Sequence, residues 1–436
     1  METKLRLITE IAVKDRKCRF NNLVHMLNVE GLRECFYLLK KDKASGIDNV
    51  TFEEYEKDLE ANLQNLVERM KKFSYRPQPV RRVYIPKSNG KQRPLGIPAL
   101  EDKIVQKAIA RILEAIYEVD FVDFSYGFRP RRSCHDALDR LDKVIMQNPI
   151  NHLIDADIKG FFDNVDHGWL MRCLEERISD KGLLRYIVRF LKAGVMEEGK
   201  LYETDKGTPQ GGIISPILAN IYLHYVLDLW IKIKVKPQAR GVVEMVRYAD
   251  DFVICVRYKD DAEKILEGMR QRLKKFGLEL SEDKTKIVGF GRFAVENAKR
   301  QNHRAGTFNF LGFTHFCDKT RRGKFKVGRV IERKRFRAKI KELNNWLKAV
   351  RSLAAIKEWW SILCAKLRGH FQYYGVSGNF RGIRRFYYLA VRLVLKWLNR
   401  RSQRKSFNWD KYLRYLNRYP LPKPRIYHNF YTLYGY

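Results

Sequence analysis

Two adjacent aspartates, Asp250 and Asp251, are the residues of this chain whose types and spacing point most directly to chemistry. They complete the tetrapeptide Tyr-Ala-Asp-Asp and lie between two apolar stretches, residues 242–246 and 252–256, which are typical of strands. Aspartate disfavours strands, and two neighbouring like charges repel unless a cation or solvent relieves the repulsion. At the tip of a β-hairpin the pair could bind divalent metal ions for phosphoryl transfer. A solvated turn is the alternative, because aspartate is common in turns.

A second group of carboxylates follows a strand-like stretch earlier in the chain, where Asp155 and Asp157 are separated by one alanine. Strand residues alternate between faces, so both would lie on the same face, and periodicity does not choose between them. Two or three convergent carboxylates could hold two Mg²⁺ ions about 3.5–4 Å apart and stabilise an in-line displacement at phosphorus. A helix cap or a surface cluster is the alternative for these residues.

A glycine-rich block, Gly-Thr-Pro-Gln-Gly-Gly at residues 207–212, is the third candidate for a functional site. Its glycines would let the backbone approach a flat or charged ligand closely, and Gln210 offers both a donor and an acceptor. A helix is predicted to begin near Ser215, because Pro216 suits a first helical turn. The block is weak evidence alone and gains weight beside the aspartates.

The charge of the chain points to a polyanionic partner. Lys and Arg outnumber Asp and Glu by 86 to 50, a net charge of +36 on 436 residues. From Gly291 onward there are 35 Lys and Arg against 6 Asp and Glu, which leaves an excess of 7 for the first 290 residues. Such an excess opposes compaction unless a polyanion neutralises it, so nucleic acid is the leading partner. We expect it to lie mainly along the C-terminal third.

Other features of the composition exclude several classes of protein. A hydrophobic content of 45% with 13% aromatics supports packed cores rather than a disordered basic tail, and the length suggests two to three domains. There is no signal-peptide core and no run of about 18 apolar residues. The seven cysteines are scattered without zinc-ligand spacing. The sequence therefore predicts a cytoplasmic protein with reduced thiols and no membrane partner.

Helix and strand patterns predict an α/β framework followed by a helical region. The predicted elements are helices up to about residue 75 with a capping box at Thr51, a hairpin over 79–98, a helix over 101–118, a strand at 152–154, a hairpin over 242–256 and a helix over 261–276. After Gly312, three amphipathic helices with basic outer faces have their apolar stripes at residues 336–350, 356–367 and 383–393. The proline-containing tail from Tyr419 is predicted to be extended or loosely docked.

Five blocks, in this order, resemble the reverse transcriptases encoded by bacterial group II introns, which are also called maturases. The resemblance extends over about residues 35–425, and the order of the blocks makes it specific. The blocks are Ser-Tyr-Gly-Phe-Arg-Pro at 125–130, the glycine-rich block at 207–212, Tyr-Ala-Asp-Asp at 248–251, Phe-Leu-Gly-Phe at 310–313 and Gly-His-Phe-Gln-Tyr-Tyr-Gly at 369–375.

The resemblance implies an α+β right-hand polymerase: fingers, then a palm with a short antiparallel sheet, followed by an all-helical thumb or maturase domain. The implied domains are residues 1–75 (an N-terminal helical extension and the start of the fingers), 76–318 (fingers and palm), 319–418 (the basic thumb or maturase domain) and 419–436 (an extended tail).

The resemblance also implies catalytic residues. Asp157, Asp250 and Asp251 match the metal-binding aspartates, which selects Asp157 over Asp155. Two Mg²⁺ ions are the implied cofactors, with Mn²⁺ as a substitute. Lys284 matches a lysine proposed to help protonate the pyrophosphate leaving group, although a lysine after a helix is often simply solvated.

Further residues match substrate-binding positions. Phe162 matches the aromatic ring that clashes with a ribonucleotide 2′-hydroxyl, so deoxynucleotides are the expected substrates. The other matches are Lys87 and Arg93 for a triphosphate grip, Gln210 for a contact to the incoming nucleotide, Tyr248 beside the primer terminus, and Phe310, Leu311 and Gly312 for the primer grip. Two solvated charges are the alternative for Lys87 and Arg93, and an ordinary hydrophobic hairpin is the alternative for the primer grip.

The implied function is that of an RNA-directed DNA polymerase of a group II intron, which also binds intron RNA to assist splicing and supports mobility by target-primed reverse transcription. Its partners would be intron RNA, an RNA template–DNA primer duplex, target DNA in the bacterial nucleoid, and dNTPs. Many relatives carry a His/Cys-rich endonuclease domain, and none is found before Tyr436, so target-strand cleavage is not expected. The alternatives are a splicing cofactor that no longer polymerises and a reverse transcriptase recruited for host defence or spacer acquisition.

Overall fold

The structure, a computed structural model, describes residues 1–86, 92–203, 205–208, 211–353, 355–401 and 406–431. The chain divides into two compact units. Unit 1 comprises Met1–Ala137 with Ile154–Ile287, and unit 2 comprises Leu138–Leu153 with Val288–Tyr436. Among the described residues, no helix combines the length and the apolar character needed to cross a membrane.

Helices make up most of the secondary structure. In chain order they are α1 (Glu2–Lys14), α2 (Val29–Tyr37), α3 (Phe52–Lys57), α4 (Leu59–Lys71), α5 (Leu100–Tyr117), α6 (Cys134–Gln147), α7 (Phe161–Asn164), α8 (His167–Glu175), α9 (Lys181–Leu191), α10 (Ser215–Leu223), α11 (Lys236–Gln238), α12 (Lys259–Lys275), α13 (Ala294–Arg300), α14 (Arg333–Val350), α15 (Ile356–Tyr374), α16 (Phe380–Leu398) and α17 (Trp409–Arg418). Two π-helical segments, His224–Asp228 and Trp230–Val235, continue α10 towards α11.

The capping box predicted at Thr51 is confirmed. Thr51 Oγ1 accepts a hydrogen bond from the Glu54 backbone N–H, and the Glu54 carboxylate accepts one from the Thr51 N–H. The helix that follows is shorter than the apolar spacing indicated, because Asp58 leaves the helical conformation at φ −119° and ψ 36°. Two helices, α3 and α4, therefore share the apolar stripe that the sequence suggested for one.

The strands of the described residues form three sheets. They are β1 (Val80–Pro86), β2 (Gln92–Ile97), β3 (His152–Asp157), β4 (Val195–Glu197), β5 (Lys200–Tyr202), β6 (Val243–Tyr248), β7 (Asp251–Val256), β8 (Lys286–Gly289), β9 (Phe308–Phe310), β10 (Phe313–Lys319) and β11 (Phe325–Ile331). The sheet orders are β2–β1–β4–β5, β6–β7–β3–β8 and β11–β10–β9. The antiparallel pairs β1–β2 and β6–β7 confirm the two predicted hairpins, and the turn at residues 87–91 lies outside the described residues.

One apolar cluster forms the core of unit 1. It joins the inner faces of α1, α2, α4 and α5 to those of α8, α9, α10 and α12 and to the buried side chains of β6 and β7. Helix α5 is central to it, since Ile104, Ile109, Ile112 and Ile116 are fully buried and the helix contacts α1, α2 and α10. This helical layer supports the sheet that carries the predicted catalytic strands.

Unit 2 contains the three predicted amphipathic helices as α14, α15 and α16, and the short helix α17, which the sequence analysis did not predict. Strand β11 was also not predicted, because Gly328 and a charged Arg329 interrupt its apolar alternation. The structure supplies the reason: Arg329 is fully buried and forms an ion pair with buried Asp142. In the described part of the tail, His428 O accepts a hydrogen bond from Ser377 N at 3.0 Å, and the extended form of the tail stays a prediction.

Candidate active site

The Asp-Asp pair lies at the tip of the β6–β7 hairpin. Tyr248 is paired with Asp251, so the turn consists of Ala249 and Asp250 alone. Ala249 has a left-handed φ of +57°, which is unfavourable for an L-residue with a Cβ and costs about 1–2 kcal/mol. The surrounding structure must therefore hold this turn in place.

A buried arginine, Arg247, holds the turn through hydrogen bonds. Arg247 Nη1 donates hydrogen bonds to Ala249 O at 2.9 Å and to Asn220 Oδ1 at 3.2 Å. Its other nitrogens donate to both carboxylate oxygens of Asp228 and, at 2.7 Å, to Ser125 Oγ. The side chains of Arg247 and Asp228 are both completely buried. This ion pair connects the β6–β7 hairpin to the π-helical segment that follows α10.

The block at residues 125–130 approaches the same turn. A Cβ added at Gly127 would lie 2.2 Å from Ala249 N, so only glycine allows this approach. Asn220 Nδ2 donates a hydrogen bond to Gly127 O at 2.7 Å, and Tyr126 N donates one to Arg247 O at 2.8 Å. The block therefore fixes the backbone of the turn that contains Asp250.

Asp157 ends strand β3, which neighbours β7 in the sheet. Its Oδ2 accepts a hydrogen bond from Lys284 Nζ at 2.5 Å, and its backbone carbonyl accepts one from Ser281 N at 2.8 Å. Asp155, which periodicity alone did not distinguish from Asp157, lies 3.8 Å from the ammonium of Lys286. The structure thus brings Lys284 to Asp157, and the role of Lys284 towards a leaving group stays a prediction.

The electrostatics of the site link Asp157 to Asp250. Burial raises the pKa of the Asp250 carboxyl, and the negative charge of Asp157 raises this pKa further, while Arg93 and Arg247 lower it. A half-buried carboxylate beside a second one favours a cation, because positive charge relieves both the desolvation and the repulsion. Asp157 and Asp250 therefore fit a divalent metal, and Asp251 follows on the same hairpin. Among the described residues, no three His, Cys, Asp or Glu side chains are close enough to form a ready metal-binding group.

The predicted substrate-binding residues are only partly described. Lys87 and Gln210 lie outside the described residues, and Arg93 is exposed on β2, opposite Ile85. Phe162 lines a cavity of about 310 Å³ together with Pro94, Gly96, Gly207 and Thr208. Tyr248 is half-buried, and burial raises the pKa of its hydroxyl.

Gly207, the first residue of the 207–212 block, has a structural role that was not predicted from the sequence. A Cβ at Gly207 would lie 2.9 Å from the carbonyl oxygens of Phe162 and Asp163, and Gly207 has a φ of +88°. Thr208 N donates a hydrogen bond to Phe162 O at 2.7 Å. The close backbone approach at Gly207 is thus to the chain's own α7, whereas the sequence analysis expected an approach to a ligand. This contact fixes the backbone that carries Phe162.

The predicted primer grip forms a tight hairpin in unit 2. Leu311 and Gly312 connect β9 to β10 with φ values of +49° and +81°. Leu311 is unusual in this conformation, and its carbonyl accepts a hydrogen bond from the Tyr373 hydroxyl at 2.9 Å. The ring of Tyr373 also stacks on Phe313, with centroids 6.0 Å apart. The hairpin is confirmed, and its contact with a primer stays a prediction.

The sequence did not predict the buried residues that hold the turn of the β6–β7 hairpin, which are Arg247, Asp228, Asn220 and Ser125. One signal was available, since an arginine inside an otherwise apolar strand needs a buried partner. The partner could not be named from the sequence, because Asp228 lies 19 residues away and Ser125 lies 122 residues away.

Comparison with known proteins gives the family. Residues 85–315, more than half of the chain, match the family described as reverse transcriptase (RNA-dependent DNA polymerase). The chain is 33% identical to the group II intron-encoded protein LtrA of Lactococcus lactis subsp. cremoris, over 77% of this chain and 67% of that protein. It is also 33% identical to protein YkfC of Escherichia coli strain K12, over 76% of this chain and 92% of that protein.

Among solved structures, a telomerase from Candida albicans is similar, with a TM-score of 0.43 and 14% sequence identity. The match covers 84% of this chain and 64% of the telomerase chain. From the family match and the relatives, the chain belongs to the reverse transcriptases. Within that family it is a group II intron-encoded protein, as the order of its sequence blocks had indicated.

Proposed function

We propose that Asp157, Asp250 and Asp251 are the catalytic carboxylates of RNA-directed DNA synthesis in this protein. The observation that supports this most is the position of Asp250 at the tip of a two-residue turn, where the charge of Asp157 on β3 acts on it. A carboxylate at the tip of a hairpin is open to a primer terminus and a nucleotide. Arg247 donates a hydrogen bond to the carbonyl of Ala249 in that turn, and Asn220 donates one to Gly127, which packs against it, so the turn is positioned by buried contacts within the protein.

The three carboxylates suit hard divalent cations, which prefer oxygen ligands. Two Mg²⁺ ions, or Mn²⁺ in their place, would be held by these aspartates and would supply charge stabilisation for phosphoryl transfer. In this reaction the primer 3′-hydroxyl oxygen forms a bond to the nucleotide α-phosphorus, and the bond to pyrophosphate breaks. Lys284, which donates a hydrogen bond to Asp157, would donate a proton to the departing pyrophosphate.

The nucleotide would occupy the cavity beside Phe162, whose ring excludes a 2′-hydroxyl. Arg93 on β2, with Lys87 on the same hairpin, would bind the triphosphate, because a guanidinium and an ammonium are strong phosphate donors. Gln210 would contact the incoming nucleotide, and Tyr248 would lie beside the primer terminus. Phe310, Leu311 and Gly312 would contact the primer strand.

We also propose that the protein binds the RNA of its own intron, assists its splicing and supports its mobility by target-primed reverse transcription on DNA of the bacterial nucleoid. The relatedness to a group II intron-encoded protein and the excess of 29 positive charges from Gly291 onward support this second role. Phosphate contacts supply most of the affinity of such a surface.

Primer extension with dTTP on a poly(rA)–oligo(dT) template in Mg²⁺ tests the enzymatic role. The wild-type protein should extend the primer, and Asp250→Ala should reduce extension to background while RNA binding and splicing assistance persist. Asp260→Ala removes a carboxylate from α12 at a surface ion pair and is the matched control, which should retain full activity. An inactive wild-type protein that still promotes splicing would support the splicing-only alternative. Joint loss of both activities in Asp250→Ala would contradict separable roles.

A further inference from the structure

Unit 2 contains a cavity that the proposed catalytic role does not use. It has a volume of about 530 Å³ and lies among α14, α15 and α16. Aromatic rings line it, from Trp346 on α14, His370, Tyr373 and Tyr374 on α15, and Phe386 on α16. Its volume falls in the usual range of small-molecule sites, about 300–1,000 Å³.

Gly369 keeps one wall of this cavity open. It is the first residue of the block at 369–375, and a Cβ placed on it would meet no atom within 4 Å. Glycine inside a helix is unfavourable by about 1 kcal/mol relative to alanine, and no close protein contact here requires it. A flat ligand that lies against the helix backbone would require it.

The rim of the cavity is basic. Arg335, Lys339 and Lys366 line it with exposed side chains, and Glu342 is its only acidic lining residue among the described residues. Glu342 is paired with Lys339 at 2.9 Å. Lys366 lies 5.1 Å from the ring centroid of Trp346, and within the described part of the chain it has no carboxylate partner. Positive charge therefore remains at the edge of an aromatic cavity.

His370 adds a polar group to the wall. Its ring stacks on Phe386 with centroids 3.6 Å apart and planes inclined by 16°. Burial, and to a lesser extent the charge of Lys339, lowers its pKa to about 3, so the imidazole is neutral near pH 7. A neutral imidazole has one donor and one acceptor nitrogen, which suits the edge of a nucleobase.

We propose that this cavity binds one unpaired base of single-stranded RNA between Trp346 and His370, with the adjoining phosphates on Lys366, Lys339 and Arg335. A paired base is stacked inside its duplex and cannot enter, whereas a loop or bulge base can be turned outward onto aromatic rings. The basic rim favours an RNA segment over a protein segment as the occupant. The proposal rests on the RNA-binding role of unit 2 and does not depend on catalysis.

Substitution at Gly369 tests the proposal without endangering the fold. Gly369→Leu would fill the cavity with a good helix former, while Gly369→Ala would leave most of its volume free. Both should melt at or above the wild-type temperature, because each removes a helix-interior glycine. The probes are a single-stranded RNA of about twelve nucleotides that carries one 2-aminopurine and a fully paired duplex of the same sequence.

We expect wild type and Gly369→Ala to quench the 2-aminopurine fluorescence on binding. Gly369→Leu should bind the single strand about tenfold more weakly, without quenching, and should bind the duplex as wild type does. Asp260→Ala, at a surface ion pair, should behave as wild type in this assay, and because the assay contains no dNTPs, failure of the polymerase assignment would be seen separately. Unchanged single-strand binding by Gly369→Leu, or an equal loss for both RNAs, would overturn the proposal. Unchanged single-strand binding would indicate that the cavity has another occupant. An equal loss for both RNAs would indicate that this surface contacts phosphates alone.

Discussion

At the scale of single residues, Ala249 is strained directly beside the proposed catalytic aspartates. It adopts a left-handed conformation at the first position of a two-residue turn, where glycine would be favoured. Its carbonyl is held by Arg247, and its amide faces Gly127 at a distance that excludes a side chain. The strain is therefore offset by neighbouring contacts, and it places the carboxylates of Asp250 and Asp251 at a fixed tip.

Phe162 is expected to discriminate between sugars. Phe162→Ala should admit ribonucleotides, because it removes the ring that would clash with a 2′-hydroxyl. The ratio of kcat/KM for dATP over ATP should fall, by up to about a hundredfold, the limit for a pocket that excludes an added hydroxyl by shape. Phe162→Tyr keeps the ring and should keep the ratio. An unchanged ratio in Phe162→Ala would remove Phe162 from this role.

His370 should make the protein sensitive to acid. Its pKa is about 3 in the folded chain, against an ordinary value of 6.5, so the unfolded chain takes up the proton first as the pH falls. The stability contribution is present above pH 6.5 and is lost as the pH falls towards 3. Between about pH 7 and pH 5, wild type should lose about 2 kcal/mol more unfolding free energy than His370→Phe. Urea unfolding at both pH values measures this difference, and equal losses would contradict it.

At the scale of elements, one buried ion pair joins the catalytic hairpin to the helical layer. Arg247 belongs to β6 and Asp228 to a π-helical segment, and irregular helical turns of this kind often occur at functional sites. The elements themselves were largely predictable, because their apolar residues repeat at helix or strand spacing. The break at Asp58, helix α17 and strand β11 were not predicted, since tertiary contacts decide where such marginal segments end.

Substitutions of the Arg247–Asp228 ion pair can distinguish its contribution to stability from its contribution to catalysis. Arg247→Met alone should cost about 3–5 kcal/mol of unfolding free energy, because it leaves Asp228 buried and unpaired. The double variant Arg247→Met/Asp228→Leu should regain much of this loss, because an apolar pair replaces the buried charges. Its kcat should remain at least about tenfold below wild type with KM little changed, since Ala249 O still lacks its donor. Recovery of kcat together with stability would show that the pair has no positioning role.

At the scale of the whole molecule, positive charge is concentrated in the C-terminal third of the chain. Residues 291–436 contain an excess of 29 basic residues, and the three aspartates lie in unit 1. The exposed basic residues of α14 to α16 surround an apolar interior, so the helices are both a folded core and a polyanion-binding surface. The proposed catalytic aspartates and the largest excess of positive charge therefore belong to different parts of the chain.

RNA affinity should depend steeply on salt. If about six phosphates are contacted, affinity should fall about a thousandfold between 50 and 200 mM salt. Replacing the exposed residues Arg333, Lys334 and Arg337 of α14 with Gln should reduce the slope of log affinity against log salt by about 2. The matched control replaces Lys264, Lys274 and Lys275 on α12 and should leave the slope unchanged. Equal effects of the two sets would mean that the bound RNA is not concentrated on the C-terminal third.

The sequence by itself was enough to indicate the family and to predict which residues carry its chemistry. These predictions rest on local sequence patterns, namely the aspartates, Phe162 and the order of the five blocks. Such patterns can be recognised without knowledge of the tertiary structure. Only the tertiary structure showed which contacts position the Tyr-Ala-Asp-Asp turn. Arg247, Asp228, Asn220 and Gly127 come from distant parts of the chain, and their contacts arise only when the hairpin packs on α10 and the π-helical segment. The same holds for the cavity at Gly369, since an empty space between three helices has no signature in the sequence of any one of them.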